Sequence, residues 1–317
     1  MGRLARRIFG MSLDEVTFAR RGFRGGEGPV REHVEKVGVS FLAGFHLALE
    51  DDRPETLIGR LEEVENAFRG FAYEGAAMSI ALLDVLQPWR RRRFPGYVAA
   101  ADGHVYMIHV GAGWAMARLP FGMRRLFDRL DPLLRWLALD GYGFHQGYFH
   151  WPRSVTGGQE IPRRVRGYGR RVFDQGLGRS LWFVDGADVE RIPATIASFP
   201  AERRPDLWAG IGLSSTYAGG VPPADLEHLR DAAGPYLPQL SQGSAFAVEA
   251  RLRAGNLTEH AETASRVFCD LPAAEAAELT RRTRPQPVDD GEPAYETWRR
   301  RIQHQLVARP ALAAHGG

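Results

Sequence analysis

Four short runs in this chain open with glycine and carry a second small residue four places on: Gly44-Phe45-His46-Leu47-Ala48, Gly113-Trp114-Ala115-Met116-Ala117, Gly176-Leu177-Gly178-Arg179-Ser180 and Gly243-Ser244-Ala245-Phe246-Ala247. On a helix, positions four apart share a face, so each run offers a strip without bulk where another helix can approach closely. The four glycines are separated by 69, 63 and 67 residues, a nearly constant period of the kind that marks an internal repeat. A chain under this constraint has to stack helix on helix.

The fullest copy lies within Phe173–Gly220 and reads as three short helices. Gln175-Gly176 opens the first. The second, about Asp188 to Ser198, puts Val189, Ile192 and Ile196 on one face before Phe199-Pro200 closes it. The third starts near Pro205, carries Leu207, Trp208 and Ile211, and stops at Gly219-Gly220. Second segments also follow the other glycine helices, at Thr56–Val64, Leu126–Leu137 and about Thr258–Phe268. Third segments appear at Phe71–Leu86 and Gly141–Trp151, with a weaker one about Pro272–Arg281. The predicted fold is therefore all-α with little or no strand: about four degenerate three-helix repeats, in a helical repeat or an α/α ring-like bundle. The predicted organisation is an N-terminal arm with a short helix over 1–36, one helical-repeat domain over 37–284 (repeats near 37–95, 105–152, 172–220 and 236–284), and a C-terminal basic helix and tail over 285–317.

A net charge of +3 on 317 residues gives no footprint for nucleic acid. Lys36 is the single lysine; arginine carries the remaining positive charge, which points to high-GC coding in an actinobacterium or similar source. Cys269 stands alone, so a disulfide framework is out and a reducing cytoplasm is expected. Arg3, Arg6 and Arg7 imitate a signal sequence, but no unbroken apolar stretch follows them. Ser12 instead fits the N-cap of a short helix, with Ser12-Leu13-Asp14-Glu15 as a capping box. No window reads as a membrane span.

Between the repeats, Trp89–Gly96 is a local basic run and reads as a solvated turn. Gly96–Val110 fits either a short hairpin over Asp102-Gly103 or a loop leading into the Gly113 helix. Pro152–Arg171 is the longest irregular connector, a lid or a join between halves.

Candidates for chemistry are few. Glu74 sits in Phe68–Leu83 among apolar and small residues, so a helix would bury it and raise its pKa toward general acid/base use. His145, Tyr148 and His150 form an aromatic cluster suited to moving protons or holding a substrate oxygen. The two histidines are five apart, whereas a shared helical face wants four, so no metal site is expected. A polar residue precedes glycine at Glu74-Gly75, Gln146-Gly147, Gln175-Gly176 and Gln242-Gly243. If these converge, they form a polar patch in a cavity lined by Tyr73, Tyr148, Phe149, Trp182 and Phe246, with His46 and Arg179 within a turn: the composition of a small-molecule site. Helix bridging by the glutamines is the structural alternative. No complete dinucleotide, Walker or nucleophile-elbow motif is present; Gly176-Leu177-Gly178 lacks the third glycine and the strand. No cofactor is expected.

The motifs Phe173–Phe183, Gly210–Gly220, Gly70–Ser79 and Gly141–Arg153 make the sequence similar to the UnbL-type family, a domain of unknown function 1702 type encoded beside enediyne polyketide synthases. The likeness runs over nearly the whole chain. It implies a role in enediyne or related polyketide biosynthesis and supplies no established catalytic residues. Two classes of function follow. One is a cofactor-free enzyme that binds an apolar polycyclic or polyene intermediate and uses Glu74 with His145, His150 or Tyr148 in cyclisation, isomerisation or C–C bond formation. The other is a helical scaffold or carrier that sequesters the intermediate or docks on the synthase; a homodimer is compatible with either.

Overall fold

The computed structural model describes residues 10–87, 93–119, 121–286 and 291–308. Among them the regular structure is helical, without strands. Seven long helices succeed one another: α1 (Pro29–Glu50), α2 (Asn66–Leu86), α3 (Val105–Arg118), α4 (Trp136–Phe149), α5 (Gly169–Val184), α6 (Arg204–Tyr217) and α7 (Leu237–Arg253). Proline in the first turn pre-sets the starts of α1, α6 and α7, where its missing N–H costs nothing. Each long helix packs chiefly on its immediate predecessor and successor. The intervening residues, including short helices at Pro54–Glu62, Arg191–Ala197 and Pro223–Ala233, lead back to the start of the next.

Glycine sets that packing. Positions two apart on a helix point about 200° apart, so a Gly-x-Gly pair relieves both flanks at once. Gly111-Ala112-Gly113, Gly141-Tyr142-Gly143, Gly176-Leu177-Gly178 and Gly210-Ile211-Gly212 are such pairs; the first glycine of each meets the preceding helix and the second meets the following one. A methyl group on Gly176 would lie 1.8 Å from the Asp140 carbonyl oxygen, and one on Gly143 would lie 2.0 Å from that of Phe173. No side chain fits there, so the backbones touch.

Neighbouring helices run parallel. Gly143 sits against Phe173 while Gly147, one turn on, sits against Ser180. Arg171 meets Asp206 at the starts of α5 and α6, and Trp182 meets Gly219 at their ends. The layer also coils: the end of α6 returns to the starts of α1 and α2, through His33 Nε2 and the Ala218 carbonyl at 2.7 Å and the Phe71 and Tyr217 rings at 5.2 Å. The end of α7 reaches the starts of α2 and α3 through Arg251–Ala67, Arg253–Asp102 and Tyr106–Glu249 contacts.

Both ends of the coil's axis carry a stopper. At one end the N-terminal arm inserts Val16 and Phe23, the latter edge-on to Tyr148 at 4.9 Å, and Trp151 donates to the Arg21 carbonyl. At the other end α8 (Ala294–Val307) buries Tyr295 and Trp298. Arg299 of α8 pairs with Asp206 at 2.6 Å, and Glu296 receives Arg171 at 2.7 Å and the Tyr168 hydroxyl at 2.9 Å.

Several local expectations need correction. The expected glycine helices and third helices are one series, spaced 30 to 36 residues apart between Gly75 and Gly243, so the apparent period counted every second member. Gln175-Gly176 lies in mid-helix rather than at a start. Neither the hairpin nor the loop forms at Gly96–Val110: helices at Arg93–Ala100 and from Val105 flank a 3-10 turn at Asp102–His104, with Tyr97, Val105, Ile108 and Val110 buried and Val98 and Tyr106 half-buried. Ser12 does cap, accepting from Asp14 N, but over a 3-10 turn; Glu15 turns to Arg20 and Arg21 instead of closing a capping box. Half of the basic run, residues 89–92, lies outside the described residues, as do 1–9 and the tail beyond 308. No described helix is long and apolar enough to cross a membrane.

Candidate functional site

The coil leaves two chambers along its axis. The first, with about 30 Å³ of room for water-sized molecules, is bounded by α1 to α6 and by Val16 of the arm. The second, with about 40 Å³ of such room, lies between α3, α6, α7 and α8, with Leu137 of α4 and Arg179 of α5 also in its wall. Their walls are mostly apolar and so close together that only water-sized molecules enter without side-chain movement. Arg179, Leu213 and Tyr217 border both chambers. They form the waist.

Three charged side chains meet near that waist. Glu74 of α2 borders the first chamber and accepts a hydrogen bond from Trp114 Nε1 at 2.9 Å. Arg179 of α5 lies over the Phe144 ring and pairs through Nη1 with Asp140 Oδ1 at 2.5 Å. Gln175 fixes the other Asp140 oxygen at 2.7 Å and also donates to the Tyr295 hydroxyl at 3.1 Å, which ties the centre to α8. All three charged groups are fully buried or nearly so, at 2% exposure for Glu74, 4% for Arg179 and 0% for Asp140.

Burial decides their electrostatics. Desolvation pushes the Glu74 carboxyl up to about 7, a rise that Asp140 reinforces and that Arg179 and the Trp114 hydrogen bond only partly oppose. For Arg179, burial works against the charge, but Asp140 and then Glu74 more than offset it, so the guanidinium stays protonated. Asp140 and Arg179 thus form an ion pair, and beside it Glu74 exchanges its proton near neutral pH. Arg179 Nε has no hydrogen-bond partner within the protein, and a buried unsatisfied donor is costly.

Only part of the expected site assembles here. Glu74, Tyr148 and Arg179 line the first chamber, and Phe246 lines the second. Tyr148 points its hydroxyl at the Val16 carbonyl, 3.4 Å away, and burial raises its pKa. His145 is buried, and burial holds its pKa well below the usual range, but the Trp114 indole, edge-on at 5.6 Å, stands between it and the chamber side of α3. Gln146 contacts His145 instead of the axis. His150 is exposed at the end of α4. His46 accepts the Met11 N–H at 3.2 Å and helps hold the arm. Tyr73 faces away from the axis, donating to Glu62 and stacking on His104 at 3.8 Å. Trp182 bonds Gly219 between α5 and α6, and Gln242 accepts from Arg299 and Gln303 beneath the chambers. Gln175 serves as the Asp140 tether.

Asp140 is the residue the sequence reading omits. A signal for it exists: the position just before the glycine that meets the preceding helix holds, in successive helices, Glu74, Val110, Asp140, Gln175, Ala209 and Gln242. Gln146-Gly147 lies off that register. Among the described residues no cluster has the makings of a metal site.

A family model described as a protein of unknown function (DUF1702) matches residues 1–306. No curated protein and no solved structure matches the chain.

Proposed function

The chain belongs to the DUF1702 family, and from its geometry we propose a cofactor-free enzyme that admits an apolar biosynthetic intermediate to the axial chambers and moves a proton with Glu74. The observation that carries this reading is the buried Glu74 carboxyl, pushed up to about 7, facing an apolar chamber beside an Arg179 guanidinium with a spare N–H. A fold gains little stability from such an arrangement, whereas acid/base catalysis needs a group that gives and takes a proton near the working pH. Protonated Glu74 supplies the acid and ionised Glu74 the base. The Arg179 N–H is placed to stabilise charge developing on a substrate oxygen, with most force in a water-poor chamber. Cyclisation, isomerisation or C–C bond formation steered by one proton transfer fits these parts. The likeness to UnbL-type proteins supports placing the intermediate in an enediyne-type polyketide pathway, in the cytoplasm.

The test is to offer the purified protein and its Glu74→Gln variant the apolar metabolites that accumulate in a strain lacking the gene. Conversion by the natural protein, lost in the variant while ligand binding survives, supports the enzyme. Binding without conversion by either would support the carrier or scaffold reading instead.

A further inference from the structure

We propose that a groove beside α3, apart from both axial chambers, binds a hydroxy acid with an apolar body, its carboxylate on Arg129 and Arg284 and its hydroxyl on His109. The proposal goes beyond the function above and does not rest on it. The groove lies between the helix Arg93–Ala100, the start of α3, residues 129–134 and the end of α7, and it shares no wall residue with either chamber. It offers about 460 Å³ of room to water-sized molecules, against about 30 and 40 Å³ in the chambers. A small molecule can enter it without side-chain movement.

The floor is apolar, with Phe94, Val105, Leu130 and Leu134 all buried. Among them stands one polar ring. His109 is 2% exposed, and its Nδ1 lies 2.7 Å from the Val105 carbonyl oxygen. A carbonyl only accepts, so Nδ1 carries the proton; burial, partly opposed by that bond and by Asp131, keeps the ring neutral. Nε2 is then a lone-pair acceptor on the groove with no hydrogen bond among the described residues. It suits a hydroxyl donor. Charge selects the other end of the ligand. Arg253 is paired with Asp102 at 2.6 Å, and Asp131 accepts the Leu133 and Leu134 N–H groups. Arg129 makes no ion pair among the described residues, and Arg284 only lays its guanidinium over the Trp298 ring at 5.7 Å. Three arginines against two aspartates leave the wall one net positive charge. A carboxylate neutralises it and matches the guanidinium fork, whereas a dianion would leave negative charge beside Asp131. A neutral apolar compound gains nothing from either arginine, so the groove and the axial chambers select different ligands.

The probes are 8-hydroxyoctanoate, octanoate, 8-methoxyoctanoate and octane-1,8-diol, titrated into the full chain by calorimetry at low ionic strength. The hydroxy acid should bind at least about tenfold more tightly than the diol, and more tightly than octanoate or the methoxy acid, which lack the donor. Arg129→Gln and Arg284→Gln, both at exposed positions, should each weaken the acids about tenfold and leave the diol unchanged. His109→Leu should erase the preference for hydroxyl over methoxy; if that variant does not fold, the methoxy acid on the natural protein makes the same comparison. Glu74→Gln should leave every affinity unchanged. Equal binding of acid and diol, equal binding of hydroxy and methoxy acids, or an acid affinity indifferent to both arginine substitutions overturns the proposal. So does failure of every probe to bind. Loss of the acid in Glu74→Gln would place it in the axial chambers and overturn the groove.

Discussion

Replacing Glu74 by glutamine should change how stability depends on pH. The carboxyl sits at about 7 in the fold against an ordinary value of 4.5. One unit is worth about 1.4 kcal/mol, so the fold prefers the protonated form by about 3 kcal/mol. The sign follows from proton counts. Below 4.5 both states hold the proton and the contribution is fully present. Between 4.5 and 7 the folded chain keeps a proton that the unfolded chain has lost, so stability falls by about 1.4 kcal/mol per pH unit. Above 7 both states are ionised and the curve flattens. His145, whose folded pKa is depressed, slopes the other way, so the natural profile alone mixes the two. Subtracting the Glu74→Gln profile isolates Glu74. Denaturant unfolding at fixed pH steps should show the stability of the natural protein relative to the variant falling by about 3 kcal/mol from acid to neutral pH and then holding constant. Profiles parallel within about 0.5 kcal/mol would refute the buried, neutral carboxyl.

Other outcomes follow from the same structure. Gly176→Ala puts a methyl 1.8 Å from the Asp140 carbonyl oxygen and should cost at least about 1–3 kcal/mol, read by thermal unfolding. Gly59→Ala, exposed on a helix with no atom within 4 Å of the added methyl, should instead stabilise, by about 0.4–1 kcal/mol. Asp140→Asn strands the Arg179 charge and should destabilise by about 3–5 kcal/mol. It should also lower the Glu74 pKa, because Asp140 is one of the groups raising it; the acid-to-neutral inflection would move toward lower pH. Cys269 is buried and burial pushes its thiol up to about 12, so a thiol reagent should label it only as fast as the chain opens.

The helical class was legible because small residues four apart leave few alternatives. The unit size was not. Gly44, Gly113, Gly176 and Gly243 have counterparts at Gly75, Gly141 and Gly210, but the flanking side chains differ from helix to helix, and only contact shows that Gly-x-Gly serves two neighbours at once. Glu74 and Arg179 could be read in advance, since an ionisable group inside an apolar helix is expensive and asks for a reason. His145 and His150 could not be sorted by pattern: five positions of helix carry one behind Trp114 and the other to the exposed end of α4. Asp140 escaped because its partner lies on another helix, and the coil that brings them together is set by packing rather than by any local motif.

The most direct test is a crystal structure of the protein with an apolar ligand bound. The account predicts the ligand in the axial chambers, with an oxygen within hydrogen-bonding distance of Arg179 and the reacting carbon against Glu74. A ligand seated on the outer surface, with the Glu74 and Arg179 side chains still enclosed and untouched, would contradict it.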